Sequence, residues 1–230
     1  MIDIVISKYK EDTSWTTNLN KNKFNIIIYN KIDNLSNPDN NNLPNIGRES
    51  YPYIYYIVNN YYSLPKSVIF LQGFPLDHCG NVKEIWSDYF QDINSFNTYC
   101  DSANYCKHEQ TPQQNEVTDK LMGKFINYLN TKNDFDVFQC FGNIADCTYV
   151  YRHEKELLYK RFNMKYNSNK FTVGAHFVVP SSLITNKSLL FWKALLDLHI
   201  LDTEREICSQ TLPNTLEQSW IDIFNYEQFQ

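Results

Sequence analysis

Glycine is scarce in this sequence, with 6 in 230 residues. The chain contains no Walker phosphate loop, no Rossmann glycine fingerprint, and neither an HExxH nor a GxSxG motif. Glycine-rich loops hold phosphates because their backbone can approach the ligand closely, so a phosphate site of this kind is not expected. The absence of these motifs therefore argues against the common classes of nucleotide-dependent enzyme.

Paired cysteines and long apolar segments are also missing. The 6 cysteines form no CxxC pair, and the spacing of Cys79, Cys106 and His108 fits no standard zinc pattern. The N-terminus has no cationic start followed by an apolar core, and no apolar run reaches the length of a membrane span. A cytoplasmic protein with reduced thiols is expected.

The bulk composition favours a folded domain of acidic character. The net charge is −5 and the pI is about 5.5, which argues against broad nucleic-acid binding. With 43% hydrophobic and 16% aromatic residues, the chain has enough material for a substantial core. We predict a single α/β domain over residues 1–230, with an irregular excursion around 94–114.

The run Ser67–Leu71 is predicted to be a central strand, because it is apolar throughout and is bounded by Pro65 and Gly73. At its carboxyl end the sequence changes abruptly to Gln72, Asp77 and His78. Ligands of open α/β sheets bind outside the carboxyl ends of the strands, so chemistry is expected here. Asp77 and His78 could hold Mn²⁺ or Mg²⁺, or act as a base and its partner; an ordinary polar turn is the alternative.

Periodicity along the rest of the chain predicts a three-layer α/β/α domain with a mostly parallel central sheet. Further strands are expected at Asp3–Ser7, Phe24–Tyr29, Asp136–Cys140 and Phe171–Val179. Helical spacing of apolar residues predicts helices from Ser50 onward and at Asn81–Ile93, Asn115–Leu129, Arg152–Phe162, Ser188–Leu198 and Thr215–Phe224.

Three other positions carry candidate site residues. The turn Lys8, Tyr9, Lys10, Glu11 and Asp12 follows the first strand and would contact a nucleotide, or else is a solvated turn with an N-cap acid. Arg48 precedes a helix N-terminus, which suits a phosphate or carboxylate, although a surface pair with Glu49 is equally consistent. His176 would be a metal ligand with Asp77 if the two strand ends are neighbours, or otherwise a core histidine.

Several blocks of the sequence, in order, resemble an uncharacterised domain family found in fungi, bacteria and large DNA viruses. The blocks are DIVISKYKEDTSW, IIIYNK, LPNIGRESYPYIYYIVNNY, SVIFLQGFPLDH, GAHFVVPSSLI, FWKALLDL and LEQSWIDIF. The family pattern is similar to RYNEDLSW, YNKG, GREAHTYLHHI and VFLQGHPFDH. Here Lys10 replaces a usual Asn and Phe74 replaces a frequent His, whereas Asp77 and His78 match.

The layout is also remotely similar to that of GT-A glycosyltransferases. This resemblance implies that LQGFPLDH occupies the place of an acidic DxD motif, although no DxD is present. It further implies that Asn30 and Lys31 face the nucleotide with the Lys8–Asp12 turn. It identifies no acceptor base, and Glu217 is proposed for that role only from its place in the final matched block, LEQSWIDIF. The implied activity is sugar transfer from a nucleotide-sugar donor to a glycan or protein acceptor, assisted by Mn²⁺ or Mg²⁺.

Two other functions stay open at this point. The missing DxD motif favours a non-catalytic carbohydrate- or protein-binding domain on the same fold. A hydrolase of phosphate or glycosidic bonds that uses Asp77 and a second carboxylate is the other possibility.

Overall fold

The computed structural model describes residues 1–33, 35, 39, 41–76, 112–141, 144–146, 152–165, 170–172, 175–204 and 211–225. Asp77 and His78, the helix predicted at 81–93 and most of the excursion predicted at 94–114 lie outside these residues. The described part is an α/β fold with one six-stranded sheet, one two-stranded sheet and seven α-helices.

The six-stranded sheet has the order β3-β2-β1-β4-β8-β5. Strands β1 to β4 are parallel to one another, and β8 runs antiparallel to both β4 and β5. Strands β6 and β7 pair antiparallel in the second sheet. The strands are β1 (Ile2–Lys8), β2 (Phe24–Ile32), β3 (Asn42–Pro44), β4 (Ser67–Gln72), β5 (Gln139–Cys140), β6 (Ile144–Asp146), β7 (Lys170–Thr172) and β8 (Phe177–Pro180).

A 3-10 helix, Ser14–Asn18, joins β1 to β2, so the chain opens with the predicted strand–helix–strand unit. The α-helices are α1 (Ser50–Asn60), α2 (Pro112–Thr131), α3 (Arg152–Arg161), α4 (Ser181–Thr185), α5 (Leu189–Glu204), α6 (Thr211–Glu217) and α7 (Trp220–Asn225). The helices predicted from Ser50 onward and near 115–129, 152–162 and 188–198 are confirmed.

The sheet is mixed, so the expectation of a mostly parallel sheet is wrong. The cause lies in the stretch predicted as one strand at Phe171–Val179. Phe171 belongs to β7 in the small sheet, whereas β8 begins at Phe177 and returns antiparallel beside β4. Between them Ala175 has a left-handed φ of +48°, a conformation that no continuous strand contains.

The helix predicted at Thr215–Phe224 is also two helices, α6 and α7. The break falls at Gln218 and Ser219, where the Gln218 carbonyl oxygen accepts a hydrogen bond from Lys155 Nζ at 2.7 Å. A tertiary contact of this kind cannot be read from helical periodicity.

Strand β4 confirms the central-strand prediction, because all six of its residues are buried. Ile69 and Leu71 pack on one face with the 3-10 helix and α2, through residues such as Trp15 and Phe125. Val68 and Phe70 pack on the opposite face with α1, α5 and α7. Helices therefore cover both faces of the sheet, and β4 lies between two hydrophobic clusters.

Candidate functional site

The parallel strands β1, β2 and β4 end at one edge of the sheet, which we call the carboxyl edge. Ser7 near the end of β1 pairs with Tyr29 on one side and with Gln72, the last residue of β4, on the other. Val5, Tyr29 and Phe70 all pack beneath α1. Side chains alternate between the two faces of a strand, so the residues two positions further along each strand share that face, which we call the α1 face. These residues are Ser7, Lys31 and Gln72. Asn30 falls on the other face by the same alternation, and its amide lies 3.5 Å from that of Asn42.

The turn after β1 packs against the turn after β4. Glu11 Oε2 accepts the backbone N–H groups of Tyr9 at 2.6 Å and Lys10 at 3.1 Å, which closes the first turn. A Cβ atom at Gly73 would lie 2.8 Å from Glu11 Oε2, so a larger residue here would require the Glu11 side chain to move. Glu11 therefore lies between the two strand ends.

Asp12, another predicted nucleotide contact, also fixes the local backbone. Its two carboxylate oxygens accept the backbone N–H of Ser14 at 2.8 Å and the Ser14 hydroxyl at 2.7 Å. These hydrogen bonds lower the pKa of the Asp12 carboxyl. The side chain is exposed and holds the turn that leads into the 3-10 helix, whose N-cap residue is Thr13 and not Asp12.

Tyr9 and Lys31 lie together above the end of β2. The Tyr9 hydroxyl donates to Asp33 Oδ2 at 2.7 Å, and Lys31 Nζ lies 5.7 Å from the centre of the Tyr9 ring. Burial lowers the pKa of Lys31, and the carboxylates of Glu49 and Glu11 partly oppose that effect. Lys31 is thus a half-buried cation that faces carboxylates from two other elements.

Arg48 occupies a strained turn before α1. Gly47 and Arg48 have φ angles of +62° and +47°, and the second is unusual for a residue with a side chain. The Arg48 guanidinium donates from Nη1 to Asn214 Oδ1 at 2.6 Å. It also lies 3.8 Å from Glu49 Oε2 and 3.9 Å from Glu217 Oε2. Arg48 therefore connects α1 to α6, and Glu217 at the end of α6 reaches the carboxyl edge.

Tyr53 is the main residue that sequence reasoning missed. It is 1% exposed, and its hydroxyl has no hydrogen-bond partner among the described residues. Burial raises the pKa of Tyr53, with further contributions from the carboxylates of Glu49, Glu217 and Glu11. Helical spacing showed that Tyr53 faces inward, but it could not show that its hydroxyl is buried without a partner among the described residues.

The structure thus assembles a charged cluster at the carboxyl edge, formed by Glu11, Lys31, Arg48, Glu49 and Glu217. Four of these five are predicted site residues, and Glu49 was predicted only as a surface partner of Arg48. Glu49 is in fact buried. Lys8 is the last residue of β1 at the same edge, and Gln72, the last residue of β4, is buried.

His176 is buried directly before β8, and its backbone oxygen accepts the N–H of Phe141 at 2.7 Å. Its predicted metal partner, Asp77, lies outside the described residues. Within the described ranges, no group of three or more His, Cys, Asp or Glu residues could hold a metal ion.

A separate cavity of about 700 Å³ lies between α3, α5 and α6. Its wall includes Leu157, Leu198, Leu212 and Thr215. Thr211 and Thr215 line this cavity from one side of α6, whereas Asn214 and Glu217 contact Arg48. Helix α6 thus separates the cavity from the carboxyl edge.

In the part of the chain that the structure describes, no helix is long and apolar enough to cross a membrane. Neither a curated protein nor a solved structure matches the chain. Residues 4–230 match the family described as "Protein of unknown function (DUF3431)". Because this match extends over nearly the whole sequence, the chain belongs to that family.

Proposed function

We propose that the protein is a glycosyltransferase that binds a nucleotide-sugar at the carboxyl edge and transfers the sugar to a glycan or protein acceptor. The observation that carries the proposal is the charged cluster, in which Lys31 and Arg48 lie among Glu11, Glu49 and Glu217. This cluster is at the end of parallel strands, where α/β proteins place their ligands. The resemblance to GT-A enzymes supplies the reaction class, as an analogy.

Lys31 and Arg48 would bind the diphosphate of the donor. Burial lowers the pKa of the half-buried Lys31, although the carboxylates of Glu49 and Glu11 oppose that effect. A diphosphate would give the Lys31 ammonium a direct anionic partner. As the bond between the anomeric carbon and the diphosphate breaks, negative charge grows on the leaving group, and these cations stabilise it.

Glu217 would act as the base. Attack by an acceptor hydroxyl forms a new bond to the anomeric carbon, and the hydroxyl proton moves to the Glu217 carboxylate. Its oxygen lies 3.9 Å from Arg48 Nη1, so the base and the diphosphate-binding cation share one location. The leaving diphosphate and the acceptor hydroxyl would then both lie at the carboxyl edge.

A divalent cation is a separate part of the proposal. Mn²⁺ or Mg²⁺ would be held by Asp77 and His176, as proposed from the sequence. Among the described residues only the imidazole of His176 belongs to this set, and these ions prefer oxygen ligands. The roles of Lys31, Arg48 and Glu217 do not depend on the ion.

The binding-domain alternative has one observation in its favour. Arg48 already has polar partners within the protein, namely Asn214, Glu49 and Glu217. A domain that binds a ligand without catalysing a reaction could contain the same contacts. Hydrolysis or transfer of a bound donor separates the two functions, because only the enzyme releases nucleoside diphosphate.

The experiment is calorimetric titration with UDP-, GDP- and dTDP-sugars, each with Mn²⁺ and with chelator, followed by a product assay. Arg48→Gly is the informative variant, because glycine adopts the positive φ of this residue without strain. It should bind the selected donor about ten- to a hundredfold more weakly, since a charge-assisted contact contributes about 1.5–3 kcal/mol.

Lys21→Ala, which removes an exposed cation elsewhere, is the matched control and should bind normally. A wild-type protein that binds none of the donors would disprove the proposed function. Binding without release of nucleoside diphosphate would favour the binding domain.

A further inference from the structure

Two buried hydroxyl groups near the carboxyl edge have no hydrogen-bond partner among the described residues, Ser7 Oγ and Tyr53 Oη. The two residues are 3% and 1% exposed. A buried hydroxyl without a partner costs about 1–3 kcal/mol, so such groups are uncommon in folded proteins. Their presence on one side of the sheet calls for a physical explanation.

Both side chains lie between the sheet and α1, Ser7 on the α1 face of the sheet and Tyr53 on the helix itself. Ser7 lies two residues beyond Val5, which packs beneath α1, and it pairs with the buried Gln72. The Tyr53 ring lies 4.9 Å from that of Phe70, two residues before Gln72 on the same strand. Ser7 and Gln72 are thus neighbours on adjacent strands, and Tyr53 packs from α1 onto the same face of the sheet beside Phe70.

The chemistry of this group is polar and acidic. Ser7 and Tyr53 supply hydroxyls and Gln72 supplies an amide, and the carboxylates of Glu11, Glu49 and Glu217 are close enough to raise the pKa of Tyr53. Hydroxyls and amides both donate and accept hydrogen bonds, and carboxylates accept them. A ligand that carries many hydroxyl groups satisfies all three kinds of side chain.

We propose that Ser7, Gln72 and Tyr53 form a subsite for the hydroxyl groups of the sugar that the donor carries. This inference rests on the proposed function, in which Lys31 and Arg48 bind the diphosphate. The two parts of the donor then contact different residues. Within the described residues the two hydroxyls have no partner, and the bound sugar would supply one to each.

The test compares Tyr53→Phe and Ser7→Ala with the wild type in two measurements. In urea unfolding, each variant should be as stable as the wild type or more stable, because it removes a hydroxyl without a partner. In calorimetry, each should bind nucleoside diphosphate normally and bind the nucleotide-sugar about tenfold more weakly, since one hydrogen bond to the sugar is lost.

Tyr56→Phe is the matched control on the same helix. Its hydroxyl donates to Asp3 Oδ2, so its removal should lower stability and leave sugar binding unchanged. If Tyr53→Phe lowers stability as much as Tyr56→Phe, the Tyr53 hydroxyl has a protein partner and the subsite is disproved.

Two further outcomes separate this inference from the proposed function. If the wild type binds nucleotide-sugars and Tyr53→Phe binds them equally well, the subsite is wrong and the function stands. If the wild type binds no nucleotide-sugar, both are wrong.

Discussion

His199 Nε2 lies 2.8 Å from Ser50 Oγ, and this contact joins helix α5 to the start of helix α1. His199 Nδ1 lies 2.8 Å from the Leu195 carbonyl oxygen, which can only accept, so the neutral ring carries its proton on Nδ1. Nε2 can then only accept, so it competes with the Gly47 carbonyl oxygen for the single proton of the Ser50 hydroxyl. Ser50 Oγ is also 2.6 Å from the Gly47 carbonyl oxygen, so the contact anchors the turn that presents Arg48.

The stability of the protein should depend on pH through His199. Burial lowers the pKa of His199 to about 4, against an ordinary value of 6.5. Between these pH values His199 is protonated in the unfolded chain and neutral in the folded protein, so stability falls as the pH drops from about 6.5 towards 4. The slope is about 1.4 kcal/mol per pH unit within this window.

Urea unfolding of the wild type and of His199→Gln, at several pH values across this window, measures the effect. The free energy of unfolding of His199→Gln should lack the contribution of His199 and depend less steeply on pH. Parallel curves for the two proteins would contradict the assignment, because the remaining histidines are common to both.

Substitution of Gly47 by alanine should disturb the turn that carries Arg48. A Cβ atom would lie 2.3 Å from His199 Cδ2 and 2.7 Å from Tyr51 Cβ, and the φ of +62° is unfavourable for alanine. A loss of about 1–3 kcal/mol in the free energy of unfolding is expected from the strain. Donor binding should weaken as well, since Arg48 is the next residue.

Gly123→Ala in α2 is the matched control for Gly47. A Cβ atom at Gly123 meets nothing within 4 Å, and alanine is the better helix former by about 1 kcal/mol. This variant should unfold at an equal or higher urea concentration. A loss of stability comparable to that of Gly47→Ala would show that the argument from Cβ contacts is wrong.

The sequence could predict β1, β2, β4 and most helices, because their signals are local, whereas the short strands β3 and β6 were not predicted. The apolar run at Ser67–Leu71 identifies a strand buried on both faces, and the spacing around Tyr53 identifies an inward-facing helix. The direction of β8 depends on which strand it pairs with, and this information is not contained in alternation.

The candidate site is likewise only partly predictable from local sequence signals. The positions of Glu11, Lys31 and Arg48 at strand and helix ends follow from local order along the chain. The buried hydroxyl of Tyr53 does not, because an inward tyrosine without a partner and one that fills the core have the same helical spacing. Only the tertiary arrangement of α1, α6 and the strand ends distinguishes them.

Ile69 tests the central position of β4. Its side chain is fully buried between Ile4 on β1 and the helix packed on that face. Ile69→Ala should cost about 2–5 kcal/mol of unfolding free energy, because it removes buried methyl groups and leaves a cavity. Leu190→Ala is the control, since Leu190 is 75% exposed and should be nearly neutral. Equal melting temperatures for both variants would refute the central-strand assignment.

Lys155 on α3 and Asp222 on α7 form an ion pair that is almost completely buried. Lys155 Nζ lies 3.3 Å from Asp222 Oδ2 and donates to the Gln218 carbonyl oxygen at 2.7 Å. The Tyr159 hydroxyl donates to the same carboxylate oxygen. The pair therefore connects α3 to the break between α6 and α7.

Removing one member of this pair should destabilise the protein far more than removing both. Lys155→Met leaves the Asp222 carboxylate buried without its cation, which should cost about 3–5 kcal/mol in urea unfolding. In Lys155→Met/Asp222→Leu neither charge is left without its partner, so much of this loss should be recovered, and the two substitutions should be strongly non-additive. A double variant with the summed loss of both single variants would mean that the two charges contribute independently, and that shape rather than charge pairing holds α3 against α7.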